Sequence, residues 1–223
     1  MCFSAGASFS AGVVLSIIGA ASIYSSKTTP QRVFACIPVI FSVQQFIEGI
    51  LWLALANPVY VHWETGATYT FLVIACIVWP ILIPFSVLLL ENNFRRKKIL
   101  FSLLGFGVLF GIYFGYCLKV YGASAIIEQH HIRYVLHFAF ADKWYFGLLY
   151  FIPTVLPPSI SSIKGIRWLA FIFLVSYTLS RIFYHYYVIS VWCFFATIIS
   201  LVVLSVILKL RDPKDEKSVL LEK

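Results

Sequence analysis

Seven stretches of about twenty apolar residues follow one another almost without a break, and each is long enough to cross a bilayer's hydrocarbon core as a helix. They are Ala5–Tyr24, Val33–Ala56, Ala67–Leu90, Ile99–Tyr121, Trp144–Ile163, Ile166–Tyr184 and Val188–Leu210. The last two are nearly continuous and too long together for one span, so a tight turn is needed near Tyr186–Tyr187. A soluble domain must face water with a polar perimeter. A chain that is 61% hydrophobic and 12% charged cannot supply one. The expectation is an all-α, seven-helix transmembrane bundle over residues 1–210, followed by a short charged tail at 211–223. That tail is too short for a signalling domain. The start of the chain has neither a basic leader nor a cleavage site, so its first apolar run reads as a retained helix.

Lysine and arginine give the orientation, because cytosolic loops are enriched in them. Lys27, Arg32, Arg95, Arg96, Lys97, Lys98, Lys164, Arg167, Lys209, Arg211, Lys214, Lys217 and Lys223 fall on one side of a seven-span arrangement. Only Lys119, Arg133, Lys143 and Arg181 fall on the other. Rich and poor loops alternate strictly, which places the N-terminus outside and the C-terminus in the cytosol. The net charge of +8 therefore reads as a topology signal. No basic stripe or nucleic-acid-binding module accompanies it, so nucleic acid is not expected as a partner.

Small residues recur at every fourth position along two spans: Ser4, Ser8, Gly12, Ser16 and Ala20, then Gly107, Gly111 and Gly115. Such stripes let helix backbones approach closely in lipid. Packing within the chain is the first reading; a homodimer through the fourth span is the second. Pro80 and Pro84 interrupt the third span, and Pro153, Pro157 and Pro158 the fifth, where each removes a backbone donor. Between the fourth and fifth spans, Ile132, Tyr134, Leu136, Phe138 and Phe140 alternate with His131, Arg133 and His137. Period two predicts a strand. Ala125–Ile127 would pair with it across a turn at Gln129–His130, forming a small outer hairpin. A surface-lying amphipathic helix is the alternative.

Two groups of residues could carry chemistry. The first is a set of metal-ligand types on the outer face: Cys2, His130, His131, His137 and His185, with His62, Glu64, Glu128 and Asp142 nearby. Imidazole, thiolate and carboxylate are the usual ligands, but the spacing follows no established motif. In a strand His130 and His131 would point to opposite faces, which argues against one shared ion. The second group lies inside the membrane. Glu48 and Arg181 each sit fifteen residues along an outward-running span and reach similar depths. A charge at the centre of a span costs roughly 2.5–3.5 kcal/mol on insertion scales, so each should face the bundle, and we expect the two to pair. Gln44, Gln45, Glu48 and Trp52 line the second span, while Tyr177, Arg181 and His185 line the sixth. Facing each other, they would build an outward-opening polar pocket. A register-fixing ion pair that binds nothing is the competing reading.

Cys2, Cys117 and Cys193 lie toward the outer side, where a Cys2–Cys193 bridge could persist. No lysine stands in the middle of the last span for a retinal Schiff base, and no histidine lies at mid-membrane to ligate haem. No cofactor is indicated.

The strings MCFSAGASF, QQFIEGILW, HHIRY and SVWCFFA are spread along nearly the whole chain. Through them it resembles an uncharacterised, mostly bacterial family of multi-pass membrane proteins. The resemblance implies a membrane location, assigns no reaction, and draws attention to Cys2, Gln44, Gln45, Glu48, Trp52, His131, Tyr134, Trp192 and Cys193. The leading expectation is a plasma-membrane protein of a prokaryote that binds a small ligand or lipid headgroup. A membrane-embedded, metal-dependent enzyme acting at the outer face and a small dimeric transporter are the alternatives.

Overall fold

In a computed structural model, residues 4–128, 130–141, 143–183 and 195–211 are described, with the side chains of all but residues 144 and 180–183. The fold is mostly helical. Helix α1 (Ala5–Ser25) leads to α2 (Thr29–Ala56). A 3-10 turn (Pro58–Trp63), α3 (Glu64–Val73), a π segment (Ile74–Val78) and α4 (Trp79–Leu90) then form one helical rod. Helix α5 (Phe94–Tyr121) follows, and strands β1 (Ala123–Glu128) and β2 (His131–Leu136) precede α6 (Trp144–Ile160), α7 (Lys164–Phe183) and α8 (Ala196–Arg211). Counting the rod once gives seven helices among the described residues. Four of them, Ala5–Ser25, Thr29–Ala56, Pro58–Leu90 and Phe94–Tyr121, are long and apolar enough to cross a membrane.

Helices α1 and α6 begin where hydropathy predicts, at Ala5 and Trp144, whereas α2 and α5 begin earlier because polar caps set their starts. Thr28 and Gln31 form a reciprocal capping box on α2, with Pro30 in its first turn. The Asn93 carboxamide oxygen accepts from the Arg95 and Arg96 amides and starts α5 five residues before the expected Ile99. The expected turn near Tyr186–Tyr187 and the first part of the seventh expected span lie outside the described residues.

Members of both small-residue stripes pack within the chain. Ser42 Oγ donates to the Gly12 carbonyl at 2.9 Å and lies 2.7 Å from Ser16 Oγ, locking α1 onto α2. A Cβ on Gly19 would come within 2.8 Å of Val39. On α5, a Cβ at Gly107 would collide with the Pro80 carbonyl, and Gly111 and Gly115 face Ile77. The π segment sits immediately before the Trp79–Pro80 pair, where the helix must absorb a missing donor.

The loops sort into two ends. Lys27 Nζ donates to the Arg211 carbonyl at 3.0 Å, which joins the α1–α2 loop to the end of α8. Glu91 joins the α4–α5 loop to the α6–α7 loop. Its Oε1 accepts from the Asn92 amide, the Asn93 amide and Ser162 Oγ at 3.0, 2.9 and 2.8 Å. Its Oε2 accepts from the Ser162 amide at 2.6 Å. These contacts mark the cation-rich end. The opposite end carries the hairpin expected from period two. Its strands pair antiparallel from Ala123↔Leu136 to Glu128↔His131. Ala125, Ile132 and Tyr134 are buried, and Tyr134 stacks on Phe71 of α3 with ring centroids 4.6 Å apart.

Candidate functional site

Helix α2 carries a buried polar face through an otherwise apolar interior. Gln44 and Gln45 are each 1% exposed and Glu48 is 0% exposed. Glu48 lies about 28 Å along α2 from its cation-rich start and about 12 Å short of the hairpin end, taking 1.5 Å per residue. The Gln45 carboxamide donates to Glu48 Oε2 at 3.2 Å. Gln44 Oε1 accepts from Trp79 Nε1 at 2.8 Å, which ties the face to α4. Trp79 in turn lies against Phe41 with centroids 4.1 Å apart. This face therefore has a fixed floor: an indole, held by a hydrogen bond and a ring contact, one turn below the carboxylate.

Several buried polar atoms on α1, α2 and α3 have no hydrogen-bond partner among the described residues. They are Gln45 Oε1 and Trp52 Nε1 on α2, Thr68 Oγ1 on α3 and Ser8 Oγ on α1. A buried polar group left unsatisfied costs about 1–3 kcal/mol, so a cluster of them is a place where a further polar species would gain. Gln45, Glu48 and Trp52 stand three and four residues apart and share one side of the helix. Trp52 extends the face into the apolar cluster beneath the hairpin, with Phe71, Ile132 and Tyr134.

The second half of the expected pocket falls on α7. Helix α7 packs against α6 and α8, and α8 packs against α2, so α2, α4, α6, α7 and α8 close a ring. Phe173 of α7 shares the buried cluster of Phe41 and Trp79. Tyr177, one turn on, leans toward α6, with its ring 5.2 Å from Phe151 and its hydroxyl close over Gly147. The backbone of Arg181 lies in α7, about 26 Å from the helix start. The Arg181 side chain and all of His185 lie outside the described residues.

The described histidines among those expected on the outer face are dispersed. His130 is exposed at the hairpin turn, whereas His131 is buried. His137 Nε2 lies 3.2 Å from Ser124 Oγ. Among the described residues no three His, Cys, Asp or Glu side chains are placed to hold a metal ion. Cys2 and His185, the other candidate ligands, lie outside that set, as do both cysteines of the Cys2–Cys193 bridge that the sequence allows. Cys36, Cys76 and Cys117 are free thiols. Burial, with a smaller contribution from neighbouring His130, pushes the His131 pKa down.

Sequence reasoning passed over Trp79, Thr68 and Glu91. Trp79 is visible only as the residue before a proline, and its bond to Gln44 is a tertiary fact. Thr68 is one of three threonines between Glu64 and Phe71, with nothing to single it out. Glu91 ends an apolar run and precedes two asparagines, a polar cluster that reads as an ordinary loop.

A family model described as a family of unknown function, DUF6629, matches residues 1–218. No curated protein matches the chain, and no solved structure does.

Proposed function

We propose, for a chain that belongs to the DUF6629 family of unknown function, that it is a seven-span plasma-membrane protein with its N-terminus outside. In this reading it binds a small polar ligand or a lipid headgroup at its hairpin end. Gln44, Gln45, Glu48 and Trp52 supply one wall, and Tyr177, Arg181 and His185 the other.

The observation that carries this reading is the carboxylate of Glu48, fully buried inside an apolar helix, with Gln45 donating to its Oε2 at 3.2 Å while Gln45 Oε1 has no partner among the described residues. Ionisable groups at such depth are expensive and mark functional sites by default. The ring of helices supports a pairing with Arg181. Glu48 lies about 10 Å beyond Phe41 along α2, and Arg181 about 12 Å beyond Phe173 along α7. Phe41 and Phe173 belong to one cluster, and both helices run toward the hairpin end. Glu48 and Arg181 then balance each other, while Gln45 Oε1, Trp52 Nε1 and Thr68 Oγ1 remain to bond a ligand that both donates and accepts. The gathering of most Lys and Arg residues with described side chains at the end opposite the hairpin, with Lys119, Arg133 and Lys143 as the exceptions, supports the orientation.

Native mass spectrometry of the protein, released gently from its own membrane, tests the site. Wild type should carry a discrete non-protein mass that Glu48→Gln and Gln45→Leu lose, while Gly105→Ala, which alters an open position on α5, retains it. The same mass on all variants, or none on wild type, would refute a ligand site here.

A further inference from the structure

The cation-rich end has a feature that topology alone does not require. Arg95, Lys97 and Lys98 project from the first turn of α5 into the open, with Arg96 half-buried beside them. None of the four has a carboxylate partner among the described residues, whose one ion pair, Arg133–Glu128, is at the hairpin end. Glu91, the carboxylate nearest in sequence, is 0% exposed and spends both oxygens on loop amides and Ser162. It cannot reach out to neutralise them.

The backbone amides at the start of α5 are also taken, since Asn93 caps Arg95 and Arg96 at 3.0 and 3.2 Å. An anion arriving here must therefore be held by side chains. Those side chains stand on an apolar foot. Phe94 is 70% exposed, with Lys98 Nζ 4.6 Å from its ring centroid, and Phe101 two turns on is 68% exposed. At the same end the exposed Tyr24 and Trp168 lie near Lys27 and Arg167 in sequence. Aromatic rings at headgroup level beside unpaired cations match a molecule with an apolar body and a phosphate head.

We propose that this end is a docking surface for anionic phospholipid headgroups, centred on Arg95–Lys98. The cations hold the phosphate through hydrogen-bonded ion pairs, and Phe94 and Phe101 lie along the acyl chains. This surface is independent of the Glu48 site, at the other end of the bundle.

Purified full-length protein in detergent, challenged separately with phosphatidylglycerol, phosphatidylcholine and inorganic phosphate, tests it. Lipid retention is read by native mass spectrometry and stability by thermal melting. Phosphatidylglycerol should be retained and raise the melting temperature, with the effect weakening as salt rises; the other two should do neither. Changing all four cations to glutamine should weaken retention by about tenfold or more. The pair Arg95→Lys with Arg96→Lys should keep it. Should the fourfold variant fail to fold, Lys97→Gln with Lys98→Gln should give an intermediate loss. Equal retention of phosphatidylcholine, full stabilisation by phosphate alone, or undiminished retention by either glutamine variant would overturn the proposal.

Discussion

At Gly107 the chain has no choice of side chain, because any Cβ there would occupy the space of the Pro80 carbonyl. That carbonyl sits at the proline step of the rod and cannot retreat without distorting the helix. Gly107→Ala should lower stability by about 1–3 kcal/mol, the usual cost of overpacking. Gly105, two residues away with nothing within 4 Å of its Cβ position, is the control. Gly105→Ala should raise stability by about 0.5–1 kcal/mol through helix entropy. Thermal melts of the two variants in one detergent compare them directly. Glu91 offers a second test. Burial alone would raise its pKa, but hydrogen bonds from the Asn93, Ser162 and Asn92 amides and the Ser162 hydroxyl outweigh it and hold the pKa low. The folded state therefore binds this proton more weakly than the unfolded chain. The stabilisation is complete above the ordinary carboxylate range, near pH 4, and disappears as acid carries the solution through the lowered value. Glu91→Gln should cost about 2 kcal/mol near neutral pH and flatten that acid limb of the melting curve.

Among the elements, the hairpin was the most legible in the sequence. Alternation of Ile132, Tyr134 and Leu136 with His131 and Arg133 is a local signal, and local signals survive folding. The two strands paired antiparallel as expected, with β2 ending at Leu136, short of Phe138 and Phe140, and His130 and His131 separated into exposed and buried positions. Helix starts were less legible, because hydropathy sees apolar residues while the backbone follows the caps at Thr28 and Asn93. Burial of His131 has a pH consequence at this scale. Its lowered pKa means that the unfolded or opened hairpin takes up a proton more readily than the closed one. Closure is fully favoured above about pH 6.5 and weakens as pH falls through the lowered value. Amide exchange in β2, corrected for the intrinsic rate, should show less protection at pH 5 than at about pH 7.5. His131→Gln should remove the difference.

For the whole molecule, the small-residue stripes and the charge asymmetry were visible as patterns, and both found their use within one chain. The stripes seat α1 on α2 and α5 on the rod. The cations with described side chains, other than Lys119, Arg133 and Lys143, collect at the end closed by Glu91 and Lys27. The polar face of α2 was legible as residue types at helical spacing. Its floor was not, because the Trp79–Gln44 bond joins residues 35 apart in the chain. We propose that the carboxylate of Glu48, buried within the bundle, is balanced there by Arg181 from the opposite wall. The most direct test is a double-mutant cycle in folding stability with Glu48→Gln, Arg181→Met and the pair. Two groups sharing one buried site should couple by about 1 kcal/mol or more, with the double variant more stable than the two single losses combined would leave it. Losses that simply add, to within about 0.5 kcal/mol, would mean that Glu48 and Arg181 do not meet.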